Sequence, residues 1–455
     1  MREGLSLPPK RQYQPFSEFL PVLFHSFAEA GIRICILRNY EGFPANNIGN
    51  DLDILICRRD LSRVIDVLRS LDNIRVINYT EMNVFISVYL EGAFATPGSR
   101  SIQVDFFWSM ASKGPEYLSA DVIFQVASQR QAGGLNFLVP SPAHEAIISL
   151  CANLVYGGFL KEKYFPKVQQ TFISDRSEVI DALQSPFGMK AATRLVDAVT
   201  EGDRRRILGC IKPLRAALYL RCSLRKPFRG ALDIARYYVS VFRLRYSPKN
   251  IETICILGPV GCGKTTIIDG LIPMLHSAAK VVEIHHFKAQ LPLVRESFEI
   301  CDSSDSHARA ADSSLSSIIR TVQWLLVEWV NQLIRRRELT LRIVEYCGRD
   351  LIIDPVKFGY KGPAWLARIL EKLFPPCDIW ILLDSAVEGV QSKNREVLPA
   401  ETLCQHEAYR SYVKTKNHHV ILDASKLVAN TTEETYAAII EMLALRAGKK
   451  LNKCF

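Results

Sequence analysis

Among the twelve cysteines, no two stand in a C-x-x-C pair. A zinc site or a disulfide framework is therefore not expected, and reduced thiols are. No apolar run reaches the ~18 residues that a membrane-spanning helix needs. The opening MREGLSLPPKRQYQPF has no continuous apolar stretch and no small-residue cleavage site. A secretory signal is not expected from it, and a cytoplasmic location is. Acidic residues are scarce in one place. Between Asp203 and Lys249, thirteen Lys/Arg are opposed only by Asp203 and Asp233, in a chain whose net charge is +10. Two readings of that segment stay open: a solvated linker, or a surface for a polyanion or an anionic membrane.

What is present is enough apolar residue, 48% of 455, for two or three cores. Residues 1–15 read as a polar tail. From 16 to 140, apolar spacing predicts a helix over Phe16–Ala30 and another over Leu61–Leu71. Strands are expected at Ile32–Leu37, Asp53–Cys57, Ile74–Tyr79, Val84–Tyr89 and Ser101–Trp108. Residues 141–247 read as helical and basic, opened by Ser141 as a cap with Pro142 behind it. Ser247-Pro248-Lys249-Asn250 is a turn signal, and 250–447 reads as a second α/β domain. The Ser/Asp-rich stretch Cys301–Ser317 predicts a loop on the substrate side.

Gly258-Pro259-Val260-Gly261-Cys262-Gly263-Lys264-Thr265 fits G-x-x-x-x-G-K-[ST] at every fixed position. Glycines there let backbone N–H groups surround phosphate oxygens, Lys264 reaches the β and γ phosphates, and Thr265 offers a hydroxyl to Mg²⁺. The run TICIL before it predicts a strand. The helix expected from Thr266 onward points its positive end at the same anion. ATP or another nucleoside triphosphate, with Mg²⁺, is the ligand this predicts. Leu341–Tyr346 is a candidate strand carrying Glu345, an acid placed to hold Mg²⁺ through water. Asp378–Asp384 and Val420–Leu422 are further strands. His285 and His286 read as structural or exposed, there being no other metal ligands in their neighbourhood.

With the P-loop, "LLDSAVEGVQSKNREV" and the closing "ILDAS", the stretch from about Thr253 to Leu445 resembles the thymidylate kinase family of nucleoside monophosphate kinases. The resemblance implies a P-loop NTPase parallel sheet. It implies a helix after the LLD strand that leads to lid cations, Lys393 and Arg395, over the phosphates. It also implies an adenine-side loop at Asp423–Ser425. Where that family has Asp-Arg-Tyr/His, this chain has Glu345-Tyr346-Cys347, which leaves Arg349 as the nearby cation for an acceptor phosphate. The segment "RDLIIDPVKFGYKGPAWLARIL" resembles thymidylate kinase-like proteins of bacterial surface-polysaccharide clusters, in which a nucleotidyltransferase-like domain commonly precedes the kinase-like one.

Near the N-terminus, Asp51 and Asp53 stand at i and i+2 at the start of a strand, so alternation puts both on one face. A pair of metal ions needs such acids plus a third, and Asp105 on a later strand is the candidate. The stretch "ILRNYEGFPANNIGNDLDILI" resembles the nucleotidyltransferase superfamily, with Leu37-Arg38-Asn39 in place of its usual Gly-Ser or Gly-Gly. Lys161, Lys163 and Lys167 read as solvated. Three functions follow as expectations. The first is a phosphotransferase of the nucleoside or nucleotide kinase type, acting on an unknown small acceptor and fused to a nucleotidyltransferase-like domain. The others are a catalytically degenerate nucleotide-binding regulator, and a nucleic-acid-binding nucleotidyltransferase using the basic stretch.

Overall fold

The computed structural model describes residues 16–45, 51–71, 74–92, 100–225, 227–246, 251–259, 261–276, 278–285, 313–334, 339–345, 351–353, 355, 360–384 and 399–454. Two compact units emerge: Gln12–Arg243 with Ala447–Phe455, and a second that includes Leu244–Arg446. Both are α/β.

The first unit is built on strands β1 (Cys35–Ile36), β2 (Asp51–Leu55), β3 (Arg75–Glu81), β4 (Phe85–Glu91) and β5 (Ser101–Phe107). A two-stranded ribbon of β6 (Ser109–Ala111) and β7 (Glu116–Ser119) stands apart, and β8 (Ser128–Ala132) and β9 (Leu135–Val139) complete the main sheet. Its order is β3-β4-β5-β2-β1-β9-β8. The ribbon and the β8–β9 hairpin are too short, three to five residues a strand, to be read as strands from the sequence. The hairpin turns on Gly133 and Gly134, both at positive φ, where a side chain would be strained.

Side chains of β2 alternate, and the alternation divides the core. Leu52 and Ile54 face one cluster with Phe19, Leu20 and Phe27 of α1 (Phe16–Glu29) and Ile65 of α2 (Leu61–Ser70). Leu55 faces the other, formed by the helices after residue 141. Asp51 and Asp53 share the Leu55 side of the strand. After the short α3 (Ala120–Val126), those helices are α4 (Pro142–Cys151), a π-helical turn Ala152–Gly157, α5 (Phe165–Ser174), α6 (Arg176–Phe187), α7 (Met189–Thr200), α8 (Arg204–Gly209), α9 (Ile211–Arg225) and α10 (Pro227–Tyr246). Ser141 caps α4 by accepting from the His144 amide. Because these helices pack Ile147, Leu150, Phe172 and Leu195 against the sheet, sheet and helices belong to one compact unit.

The second unit has a five-stranded, all-parallel sheet in the order β11-β12-β10-β13-β14. Its strands are β10 (Ile251–Leu257), β11 (Val281–His285), β12 (Thr340–Val344), β13 (Ile379–Asp384) and β14 (His419–Asp423). All five residues of β12 are buried, as expected of a parallel strand covered on both faces. The helices are α11 (Lys264–Leu275), α12 (Ser314–Ile334), α13 (Ala364–Leu373), α14 (Pro399–Lys414) and, as far as Arg446, α15 (Val428–Cys454). Ser314–Ser317, expected in a loop, instead open α12. Ser314, Ser316 and Ser317 hydrogen-bond locally and to Lys361, as serine does at a helix start. The rest of the loop expectation, 301–312, and the helix expected over 386–397 lie outside the described residues. No helix among the described residues is long and apolar enough to cross a membrane.

Candidate functional site

Strand β10 is central, and its C-terminal end runs into Gly258. Gly261 and Gly263 follow with φ of +84° and +88°, a region that costs L side chains strain. Gly263 sits at the N-cap of α11, with no side chain closing the helix end. The N-terminal end of α11, where the helix dipole favours an anion, thus opens directly off the glycine loop. Lys264 is buried, its Nζ donating to the carbonyls of Gly258 and Pro259 at 2.8 Å each. This contact folds the ammonium back over the loop that Lys264 follows.

Thr265 Oγ1 donates to Glu345 Oε1 at 2.6 Å. The two are brought together because β10 and β12 are parallel neighbours, so their C-terminal ends lie side by side. Glu345 lies one residue past the end of β12 and is buried. On the other side of β10, Asp384 ends β13. It accepts from Arg410 at 2.5 Å and faces His406 Nδ1 at 3.0 Å, both on α14. Sequence reasoning missed these three. Asp384 was visible as the acid of LLD, but nothing in the spacing linked it to His406 and Arg410.

Asp423 Oδ1 accepts from the amide and hydroxyl of Ser425 at 2.9 and 2.5 Å, and these bonds hold its carboxyl below the usual range. Both residues are exposed, Asp423 ending β14 and Ser425 lying just beyond it. Thr266 is exposed on the first turn of α11, and Cys262 is buried in the loop. His285 Nε2 lies 2.7 Å from Glu328 of α12, a pairing inside the unit; His286 lies outside the described residues, as do Arg349, Lys393 and Arg395.

Gly258 is sterically required. A Cβ there would lie 2.7 Å from the Leu383 carbonyl oxygen, a backbone atom that cannot swing away, whereas a Cβ at Gly263 meets nothing within 4 Å. Gly258→Ala is expected to lower the stability of this unit by ~1–3 kcal/mol, through overpacking. Gly263→Ala is expected to cost ~1 kcal/mol, through φ alone. Denaturant unfolding of both variants measures the order, and equal effects would refute the steric assignment.

The first unit gathers a second set of groups. Strands β2 and β5 pair in parallel with Asp53 opposite Asp105, and β4 sets Ser87 opposite Asp105. Asp51, Asp53 and Asp105 offer carboxylate oxygens that all lie within 4.8 Å of one another. Asp53 is 1% exposed; its Oδ2 pairs with Arg38, while Oδ1 is buried with no hydrogen-bond partner. An orphaned carboxylate oxygen at the centre of three acids fits a divalent cation. Gln103 donates to both Asp105 oxygens at 3.0 and 3.2 Å. Burial pushes the Asp105 carboxyl up to about 7, with the neighbouring Asp53 adding to the rise. Asp53 is pushed up too, by burial, against the pull of Arg38.

Arg38, which stands where the nucleotidyltransferase superfamily has its usual Gly-Ser or Gly-Gly, is thus committed to Asp53, with its guanidinium also 5.6 Å from the Tyr164 ring centroid. Nor are the three lysines merely solvated. Lys161 and Lys163 lie over that same ring at 5.1 and 5.4 Å, and Lys167 pairs with Glu41 and Glu145 at 2.8 and 2.5 Å. A cavity of about 200 Å³ opens beside Asp53, walled by Arg38, Phe85, Phe107, Tyr117 and Tyr156 among others.

The raised Asp105 value has a definite sign for stability. Unfolded, an aspartate releases its proton near 3.8; folded, this one holds it to about 7. Between those limits the folded state binds more protons, so stability falls as pH rises through the window and is level above it. Melting in EDTA is therefore expected at a lower temperature at about pH 8 than at about pH 5. Mn²⁺ should restore the loss, and Asp105→Asn should remove this component of the pH dependence. An Asp105→Asn profile identical to wild type would contradict the assignment.

The central β10, the glycine loop and the all-parallel sheet define the second unit as a P-loop NTPase fold of the α/β class. No protein-family profile matches the chain, and no curated protein does. Among solved structures it is similar to thymidylate kinase from Candida albicans, at 13% identity over 41% of this chain and 89% of that one, with a TM-score of 0.30. It is also similar to thymidylate kinase from Ehrlichia chaffeensis, at 13% identity over 41% and 96%, with a TM-score of 0.29. A third is deoxyadenosine kinase from M. mycoides with bound dCTP, at 16% identity over 40% and 95%, with a TM-score of 0.27.

Proposed function

We propose that the second unit is an ATP- and Mg²⁺-dependent phosphotransferase of the nucleoside or nucleotide kinase type, acting on a small-molecule acceptor. The observation that carries this reading is the Thr265–Glu345 hydrogen bond beside the folded-back Lys264. A hydroxyl and a buried carboxylate side by side, next to an ammonium and the N-terminal end of α11, fit a magnesium–polyphosphate and little else. Mg²⁺, when bound, supplies positive charge at the phosphates. The loop amides and Lys264 grip the phosphate tail and hold it still. Glu345 orients the Thr265 hydroxyl, and Asp384 keeps Arg410 at the border of the loop. On the motif resemblance, Lys393 and Arg395 close over the phosphates, Arg349 meets the acceptor, and Asp423 with Ser425 borders the adenine.

The first unit, in the same proposal, is a nucleotidyltransferase-like domain whose Asp51, Asp53 and Asp105 hold divalent metal. Lys161 and Arg38 temper the charge of that cluster, and the adjoining cavity receives the apolar part of a substrate. Surface-polysaccharide assembly is the setting the motif resemblance implies. An acceptor screen with γ-labelled ATP on the full chain tests the kinase reading. Label transfer to a small molecule supports it. Tight ATP binding with no transfer to any nucleoside, nucleoside monophosphate or sugar would turn the reading to a regulatory one.

A further inference from the structure

Helix α10 has two unlike faces. The inner one is tied down: Gly114 abuts the backbone of Ile234, where an added Cβ would lie 2.7 Å from the Ile234 Cα. Asn83 donates to the Asp233 carbonyl at 3.4 Å, and the Tyr237 and Tyr156 hydroxyls meet at 3.4 Å. The outer face carries Phe228, Leu232, Ala235, Val239 and Phe242, at spacings of four, three, four and three residues. At 100° per residue these five fall within one narrow arc. Phe228 is 91% exposed and Phe242 63%. Leu220 and Leu224, at the end of α9, are 61% and 73% exposed.

Arginines flank that arc. Arg229, Arg236 and Arg243 recur every seven residues, which makes one column along its edge. The one acid of α10, Asp233, turns its carbonyl to the inner face and pairs through its carboxylate with Arg236 at 3.4 Å, outside the apolar arc. An apolar stripe bordered by cations and free of outward acids matches a helix lying in the plane of an anionic bilayer. A second copy of the chain fits less well. Paired seams would bring arginine to positions where a coiled coil needs acids. A polynucleotide would satisfy the arginines and leave Phe228 and Phe242 in water.

We propose that the outer face of α10 docks the protein on a membrane surface rich in anionic lipid. The phenylalanines insert among the acyl chains, and the Arg229/Arg236/Arg243 column meets the headgroups. Neither candidate catalytic set contains any of these residues, so the proposal stands or falls independently of the kinase reading.

The test is flotation of the full chain with vesicles of pure phosphatidylcholine and of phosphatidylcholine mixed in equal parts with phosphatidylglycerol. Binding to the mixed vesicles alone is expected, weakening with salt. F228S/F242S is expected to lose about tenfold or more of that binding, with ATP binding and the circular dichroism spectrum unchanged. R229Q/R236Q/R243Q should lose it as well, whereas the same change at Arg204 and Arg205 should have little effect. Three results would overturn the proposal: vesicle binding untouched by F228S/F242S; tighter binding to single-stranded polynucleotide, equally indifferent to those phenylalanines; or a dimer in sedimentation that F228S/F242S dissociates.

Discussion

Lys264→Ala is expected to depress phosphoryl transfer by about a thousandfold while leaving the fold intact. The side chain is buried, and its ammonium bridges the Gly258 and Pro259 carbonyls. Its removal unpairs two carbonyls at the edge of a loop that can rehydrate, a cost of ~1 kcal/mol. Transfer suffers far more, because the charge developing on the phosphates loses a donor held in place before reaction. Lys264→Arg is not expected to rescue, since a planar guanidinium does not fit a buried position shaped for a compact ammonium. Single-turnover transfer of labelled phosphate separates binding from chemistry. A Lys264→Ala protein within about tenfold of wild type would remove the loop from the reaction.

The second large effect is on metal. Asp105→Asn is expected to lower nucleotide-free Mn²⁺ affinity by about a hundredfold with little change in stability below neutral pH, because the amide resembles the protonated acid it replaces. Asp53→Asn should lose metal equally and also cost ~3–5 kcal/mol, because it removes the buried anion that pairs with Arg38. Counting free Mn²⁺ by magnetic resonance gives the affinity, and denaturant unfolding gives the stability. The two variants thus differ in stability and agree in metal. If both kept wild-type Mn²⁺ binding, the cluster would be an ordinary buried carboxylate group and the transferase reading of that unit would fail.

Much of the second unit was legible because local signals carried it. The P-loop spells out its own conformation, and strands such as Ile379–Asp384 are near-continuous apolar runs. The expected Leu341–Tyr346 strand began one residue after the start of β12 at Thr340 and ran past its end at Val344. The N-terminal acids were legible as a pattern. What the sequence did not show was that β2 and β5 are adjacent and in a register that sets Asp53 against Asp105. Strand pairing is a long-range property, and nothing local encodes it. The same reason hid Arg38 against Asp53, and His406 and Arg410 against Asp384, pairs separated by 15, 22 and 26 residues. The β6–β7 ribbon and the β8–β9 hairpin escaped because strands of three to five residues give alternation too few cycles to register.

Thr265 and Glu345 are 80 residues apart in the chain, and β12 joins β10 directly. A polypeptide emerging from the ribosome therefore carries the glycine loop's residues long before it owns the carboxylate that, on the kinase reading, completes the cation's seat. Until the later strand slots in, such a nascent chain can offer phosphate only amides and one ammonium. On the kinase reading, nucleotide binds the completed sheet and not its early fragments, and so stabilises the full-length product over them.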